Sequence, residues 1–244
     1  MAKKFARILL KIVVLSCLLL TACNEDATLS PDDRETLFQV SSNRALFDGN
    51  YAGIERIDAL KKKGDFGIGV FGELDGEMVL LDGVVYQTQN DGKILQPPES
   101  ATLTFSMVTS FEPDITRELS SISNLDALKA AINPLLENKD AFYAIRIDGS
   151  FDYVKARSLP KQNKPYQSLT DILNHQPEFE FRQLQGTVIG FWCPDYVGQL
   201  NAAGYHLHFI SADRTQGGHI NDVSISNAKL QLDKTWQFKI ETAK

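Results

Sequence analysis

The 244-residue sequence predicts an α+β protein with two β-rich halves, a mixed N-terminal sheet and a mainly antiparallel C-terminal sheet, with a boundary near Lys139. In the first half, short apolar runs alternate with Asp-Gly turns at Asp75, Asp82 and Asp91, which is typical of a β-meander. In the second half, EFEFRQLQGTVIGFWCP and GYHLHFIS alternate in the same manner. Helical spacing is confined to a few short segments, which favours sheets with helices added to them.

The first 23 residues, MAKKFARILLKIVVLSCLLLTAC, have the pattern of an export signal. A basic start precedes an apolar run that is shorter than the ~20 residues needed to span a bilayer. LLTAC resembles the lipobox of bacterial lipoproteins, in which the cysteine becomes the first mature residue and carries lipid. We therefore expect a signal peptide at 1–22, a polar tether at 23–45, and a protein anchored at the bacterial cell envelope through Cys23. The alternative is a soluble secreted or periplasmic protein.

Charge and cysteine usage limit the partners and the source of stability. Removing residues 1–22 leaves 21 Lys and Arg against 31 Asp and Glu, a net charge of −10, which argues against nucleic acid as a partner. Cys17 leaves with the signal peptide and Cys23 would carry lipid. The remaining Cys193 cannot form an intramolecular disulfide, so we expect a buried structural thiol and a fold stabilised by its core.

The mature chain divides into an N-terminal β-rich half at 46–139 and a C-terminal β-rich half at 140–244. Three helices are predicted within them. NYAGIERIDALKKKG has apolar residues three apart, SNLDALKAAINPLLENKD begins at Ser123 or Asn124 and breaks at Pro134, and SLTDILNHQ is short. AFYAIRIDGSFDYVKARSL is predicted to form two strands that are joined by a turn at Asp148–Gly149.

Three of the four histidines lie in GYHLHFISADRTQGGH. In a strand, His206 and His208 project from one face, while Leu207 and Phe209 point the other way, towards a core. ADRTQGG is a turn, and a hairpin around it would bring His219 beside the first two histidines. Three neutral imidazoles that converge on one point favour a metal site, and for catalytic zinc we expect three protein ligands and one open position.

Four separated segments now resemble one known family. LDGEMVLLDGVVYQ, VKARSLP, QPEFEFRQLQGTVIGFWCPDY and GYHLHFISADRTQGGHI together look like α-acetolactate decarboxylase, in the same order, between about Leu46 and Leu232. The resemblance implies a pair of β-sheet domains with a Zn²⁺ site between them, assembled as a homodimer. It also implies conversion of 2-acetolactate, a small 2-hydroxy-3-oxo acid, to acetoin and CO₂.

The resemblance assigns residues to that reaction. It places the zinc ligands at His206, His208 and His219, and it implies that Glu77 and Arg157 are active-site residues. Loss of CO₂ leaves an electron pair that the neighbouring carbonyl must accept, giving an enediolate, which a divalent metal would stabilise as a Lewis acid. The permanently cationic Arg157 would orient the carboxylate before it leaves. For Glu77 to donate a proton near neutrality, its pKa would have to rise.

Some assignments have competitors. Glu73 competes with Glu77 for the role of active-site carboxylate, and Lys155 competes with Arg157, because strand alternation places the two cations on one face. The sequence also departs from the family pattern, which commonly has threonine where this chain has Val70. The family closes its site with a glutamate from the C-terminal tail, and Glu241 is the candidate here, although it does not align securely.

Two other classes of function stay open. A cupin-like metal oxygenase or isomerase would use the three histidines together with a carboxylate ligand, for which Asp213 is the candidate. A lipoprotein could instead bind zinc or a small ligand without turning it over. GIGVFG matches the dinucleotide pattern Gly-x-Gly-x-x-Gly, but turn and strand follow it rather than a helix, so we reject a dinucleotide site.

Overall fold

A computed structural model of the protein describes residues 31–242. The predicted signal peptide and Cys23 lie outside these residues. The described chain contains the strands β1 (Thr36–Val40), β2 (Glu55–Arg56), β3 (Phe66–Phe71), β4 (Glu77–Leu81), β5 (Val84–Thr88), β6 (Ile94–Leu95), β7 (Thr102–Thr109), β8 (Ile115–Ile122), β9 (Phe142–Arg157), β10 (Glu178–Cys193), β11 (Gly204–Ser211), β12 (Gly217–Thr235) and β13 (Gln237–Glu241). Its helices are α1 (Pro31–Arg34), α2 (Asn43–Phe47), α3 (Ile57–Leu60), α4 (Leu125–Ile132) and α5 (Leu169–Asn174).

The strands form two sheets, which confirms the predicted fold class. The first sheet has the order β13-β1-β7-β3-β4-β5-β6, with β2 beside β7. It is mixed, because β13 runs parallel to β1 while the other pairs are antiparallel. The second sheet is antiparallel, in the order β11-β10-β9-β12-β8, and β11 also pairs with β12, so four of its strands close into a ring.

The main core lies between the two sheets. It joins Phe66, Ile68 and Met107 of the first sheet to Ile189 and Phe191 of the second. A second apolar cluster belongs to the second sheet and α4, and a third packs α3 against the first sheet. Because one core is shared by both sheets, a side chain at the gap between them can receive contacts from either half of the chain.

The boundaries of the two halves differ from the sequence prediction. β8 precedes Lys139 in the chain yet pairs with β12 in the second sheet, and β13 returns from the C-terminal half to join the first sheet. The predicted tether is also too long at its C-terminal end, because Thr36–Val40 forms the buried strand β1. Each difference arises from pairing between residues far apart in sequence, which composition does not reveal.

The Asp-Gly turns of the first sheet and the helix start that the sequence predicted from neighbouring residues are confirmed. The turns at Asp75, Asp82 and Asp91 join consecutive strands of the first sheet. α4 begins after Asn124, whose side chain accepts a hydrogen bond from the backbone N–H of Ala127. The helix predicted in NYAGIERIDALKKKG is limited to the four residues of α3.

The predicted turn at Asp148–Gly149 is wrong, because β9 continues through both residues as one 16-residue strand. A Cβ atom at Gly149 would overlap the carbonyl oxygen of Asn227 and the side chain of Ala228 on β12. Glycine is therefore needed here for the close approach of two strands, not for a turn.

Candidate metal centre

The imidazoles of His206 and His208 point to the face of β11 that looks towards the first sheet. Leu207 and Phe209 alternate with them and are buried in the core of the second sheet. This confirms the predicted alternation. The apolar residues hold the strand in place, and the same pleat directs both imidazoles into the gap between the sheets.

His219 completes the group from β12, where it lies directly opposite His208. The centroids of the three rings are 4.9–5.3 Å apart. One ligand nitrogen from each ring lies within 4.8 Å of the others, so the three histidines can hold a metal ion. The hairpin that the sequence predicted therefore brings the three side chains together.

The three imidazoles are in the form that binds metal. Burial lowers the pKa of His206 to about 4 and lowers those of His208 and His219 well below the usual value, and the nearby charge of Arg157 acts in the same direction. The rings are therefore neutral at physiological pH, and a neutral ring has a nitrogen lone pair available for coordination.

A backbone carbonyl sets the tautomer of His208. Its Nδ1 donates a hydrogen bond of 3.0 Å to the carbonyl oxygen of Met78. Since a carbonyl only accepts, Nδ1 carries the proton and Nε2 carries the lone pair. This Nε2 atom is buried and has no hydrogen-bond partner among the described residues. An orphaned acceptor that faces two other imidazoles fits a metal ligand oriented from its far side by a carbonyl.

Glu77 brings a carboxylate from the first sheet to the histidines. It begins β4, and its side chain is only 2 % exposed. Its Oε2 lies 3.6 Å from Nε2 of His208, and its Oε1 accepts a hydrogen bond of 3.2 Å from Nη1 of Arg157. Burial raises the pKa of Glu77 to about 7, against the opposing effect of the Arg157 cation.

The backbone before Glu77 is unusual. Glu73 and Leu74 adopt φ angles of 60° and 57°, in the left-handed region that non-glycine residues seldom occupy. Hydrogen bonds hold this turn, because the N–H of Glu73 donates to Tyr51 and its carbonyl accepts from the N–H of Gln162. The turn ends at Gly76, whose φ of 87° favours glycine, and it delivers Glu77 into the gap between the sheets.

Arg157 reaches the gap from the last position of β9. It lies directly opposite His219 on β12, and its side chain is 15 % exposed. The hydrogen bond to Glu77 uses one of its five N–H donors, and no other side-chain hydrogen bond of Arg157 is found among residues 31–242. Arg157 can therefore bind a second anion while it holds Glu77.

The competing residues do not reach the histidines. Glu73 is about half exposed and lies 3.4 Å from the ammonium of Lys161, while Lys155 pairs with Glu178. Asp213 accepts hydrogen bonds within its own turn, from Ser211 and Thr215.

Glu241 lies on the edge strand β13 and pairs with Lys63. In this arrangement of the chain, Glu241 does not reach the histidines. Because β13 is separated from β4 by three other strands, the first sheet itself holds Glu241 away from Glu77.

Two further residues singled out in the sequence, Val70 and Cys193, are buried. Val70 is buried and lies opposite Glu77 in the β3–β4 register, so it presents an apolar wall to that carboxylate. Cys193 is buried, and burial raises the pKa of its thiol to about 12, which makes it a structural residue rather than a nucleophile.

Sequence reasoning missed the carbonyl of Met78 and the side chains of Glu178 and Asn221. No sequence signal identifies a backbone carbonyl as a histidine partner. Glu178 lies opposite Arg157 on β10, and Asn221 lies two residues after His219, but only the register between strands reveals these relations.

Comparison with known proteins places the chain beside one group of enzymes. The sequence model of the α-acetolactate decarboxylase family matches residues 37–244. Similar proteins include the α-acetolactate decarboxylases of Methanosarcina mazei, 43 % identical over 87 % of this chain and 74 % of the relative, and of Brevibacillus brevis, 39 % identical with the same coverage. The crystal structure of α-acetolactate decarboxylase from Bacillus subtilis superposes with a TM-score of 0.83 at 34 % identity, covering 85 % of this chain and 88 % of that one.

Proposed function

Given that the chain belongs to the α-acetolactate decarboxylase family, we propose that it converts 2-acetolactate to acetoin and CO₂ with a zinc ion held by His206, His208 and His219. The convergence of three neutral imidazoles carries the proposal. Three nitrogen ligands with a further position open to substrate are the donor set of catalytic zinc sites. When bound, zinc supplies a Lewis acid where negative charge develops on the ketone oxygen of the substrate.

Arg157 binds and orients the departing carboxylate. Its guanidinium stays charged, and its free N–H donors match the two oxygens of a carboxylate. Holding the carboxylate fixes the bond that must break relative to the ketone that accepts its electrons. Val70, opposite Glu77 in the β3–β4 register, adds a buried apolar side chain to this part of the gap between the sheets.

Glu77 supplies the proton that replaces CO₂ on carbon. Burial raises the pKa of Glu77 to about 7, which favours the protonated carboxyl group, whereas Arg157 and a bound zinc ion would both favour the charged form. The hydrogen bond from Arg157 to Oε1 fixes the side chain and leaves Oε2 on the side of the histidines. Proton delivery from Oε2 therefore needs no large movement of the chain.

An assay before and after removal of metal tests this proposal. A soluble form of the protein that starts at Asn24 should form acetoin from racemic 2-acetolactate, lose activity on dialysis against a chelator, and regain it with one equivalent of Zn²⁺. Activity that resists the chelator would contradict a metal mechanism. Fully zinc-loaded protein that releases no CO₂ would contradict decarboxylation and favour a role in binding alone.

The location of the enzyme is a second part of the proposal. No helix within residues 31–242 is long and apolar enough to cross a membrane. We propose export with lipid attached at Cys23, supported by the basic, apolar and LLTAC segments of the sequence. Mass spectrometry of the N-terminus and membrane fractionation test this, because Cys23→Ser should yield unlipidated protein. We also propose a homodimer, which light scattering at several protein concentrations would test.

A further inference from the structure

Arg157 and Glu178 are opposite charges at directly opposed positions, yet they do not pair. They face each other across β9 and β10, where the Cβ atoms of opposed residues lie about 4.5–5.5 Å apart. Opposite charges in this arrangement usually attract each other into contact. Among the described residues, Arg157 instead forms its ion pair with Glu77 of the other sheet. Other contacts of Glu178 therefore keep its carboxylate away from the guanidinium of Arg157.

Both carboxylate oxygens of Glu178 are held by other groups. Its Oε2 lies 2.8 Å from Nζ of Lys155, two residues before Arg157 on β9. Its Oε1 accepts a hydrogen bond of 2.7 Å from Nδ2 of Asn221 on β12. The two donors come from two different strands, so together they fix the direction of the side chain. The Lys155 contact also lowers the pKa of Glu178, which keeps the carboxylate charged and bound.

An irregularity in β12 makes the second contact possible. The register between β12 and β9 shifts between Ile220 and Asp222, which leaves Asn221 as an extra, unpaired residue. Such bulges redirect a side chain and are frequent beside active sites. Here the bulge comes two residues after His219 and lets an amide on β12 reach across β9 to a carboxylate on β10. A regular strand would give this position a partner on β9.

We propose that Lys155 and Asn221 are positioning residues that hold Glu178 off Arg157, so that Arg157 stays free for the carboxylate of the substrate. Released from these contacts, Glu178 would form a second ion pair with Arg157. That internal carboxylate would then compete with the substrate for the same N–H donors. The inference rests on the proposed function, in which Arg157 binds the leaving carboxylate.

Kinetics of single and double variants test the inference. In the zinc-loaded enzyme, Asn221→Ala and Lys155→Met should each raise KM for 2-acetolactate about fivefold with little change in kcat, the factor expected for one exposed ion pair. Glu178→Gln should leave KM unchanged or lower it, because the amide does not compete. The decisive result is rescue: adding Glu178→Gln to either variant should return KM to the wild-type value.

Glu180→Gln is the matched control. Glu180 lies two residues further along β10 and is bound by Arg182, so its loss should leave KM unchanged and should not rescue Asn221→Ala. A general loss of packing or surface charge would affect both glutamates alike. Failure of Glu178→Gln to rescue either variant, or a raised KM in Glu178→Gln alone, would overturn the inference.

Two further measurements separate this inference from the proposed function. Calorimetry with a substrate analogue whose ketone is reduced to an alcohol reports binding without turnover, and its Kd should follow the same pattern as KM. A crystal structure of Asn221→Ala should show Glu178 within 4 Å of Arg157. Wild-type protein that neither turns over nor binds the analogue would refute the proposed function, whereas Glu178 remaining apart from Arg157 in the variant refutes the inference.

Discussion

At the scale of single residues, the surroundings of Glu73 and Glu77 decide which of them is suited to donate a proton. Glu73 and Glu77 lie four positions apart, Glu73 within a tight turn and Glu77 immediately after it. Glu73 is exposed beside Lys161, whereas Glu77 is buried between Arg157 and His208. Burial disfavours the charged form of a carboxyl group, and it raises the pKa of Glu77. The two side chains have the same chemistry and different surroundings.

Substitution of Glu77, with Glu73 as the control, tests whether the buried carboxyl group is the one that acts in the reaction. Glu77→Gln should lower kcat by at least about 10², the usual contribution of a positioned acid or base, because the amide cannot donate a carboxyl proton. Glu73→Gln should change kcat less than about twofold, as expected for an exposed side chain that is remote from the chemistry. Equal effects of the two substitutions on acetoin formation would show that the turn as a whole, and not the buried carboxyl group, matters.

At the scale of elements, the position of β11 against β10 sets the metal ligands. Gly190 of β10 lies opposite Leu207, and a Cβ atom there would overlap the carbonyl oxygen of His206. The backbones can approach this closely only because the position lacks a side chain. The imidazoles of His206 and His208 therefore depend on a glycine in the neighbouring strand as well as on their own alternation.

Gly190→Ala should weaken zinc binding. Overpacking of this kind costs about 1–3 kcal/mol, and the resulting shift of β11 should lower zinc affinity about tenfold, as loss of groups that support metal ligands does. Gly149→Ala is the control. Its added Cβ atom would also overlap a neighbouring strand, β12, but Gly149 lies eight residues before Arg157 on β9. It should lower Tm comparably and leave zinc affinity unchanged in a competition titration with a chromophoric chelator. Equal zinc affinities of the two variants would contradict the prediction.

At the scale of the whole molecule, strands that cross between the sheets bring acidic groups together. Asp233, near the end of β12, is buried close to Glu112, Asp114 and Glu35. Burial raises its pKa to about 8, and the neighbouring carboxylates act in the same direction, although the backbone N–H of Glu112 donates to it. Below about pH 8, the folded protein therefore favours the neutral form of Asp233.

A fall in stability with rising pH follows from this preference. Between about pH 4 and 8, the unfolded chain releases a proton that folded Asp233 retains, so the free energy of unfolding should decrease by up to about 1.4 kcal/mol per pH unit. Asp233→Asn keeps the site neutral and should flatten this dependence, making the variant more stable than wild type at pH 8. Urea unfolding at pH 5 to 8 measures this pH dependence of the free energy of unfolding. Substitution of the exposed Asp126, as Asp126→Asn, is the control. Parallel curves for wild type and Asp233→Asn would refute the assignment.

The sequence by itself determined the local parts of this protein. The alternation around His206 and His208 placed two imidazoles on one face, because successive residues of a strand point to opposite sides. Asp-Gly pairs marked the turns of the first sheet, and Asn124 marked the start of α4, because both depend on neighbouring backbone groups alone. These signals sufficed to predict two sheets and a metal centre with three histidines.

Only the tertiary structure decided which distant residues meet. It separated Glu77 from Glu73, sent Glu241 to the far edge of the first sheet, and placed Glu178 opposite Arg157. It also showed that Gly149 serves a close approach of strands rather than a turn. The physical reason is that burial and strand register are set by pairing across the whole chain. A short stretch of sequence determines the face of a strand on which a side chain lies, and the fold determines which other residues that side chain contacts.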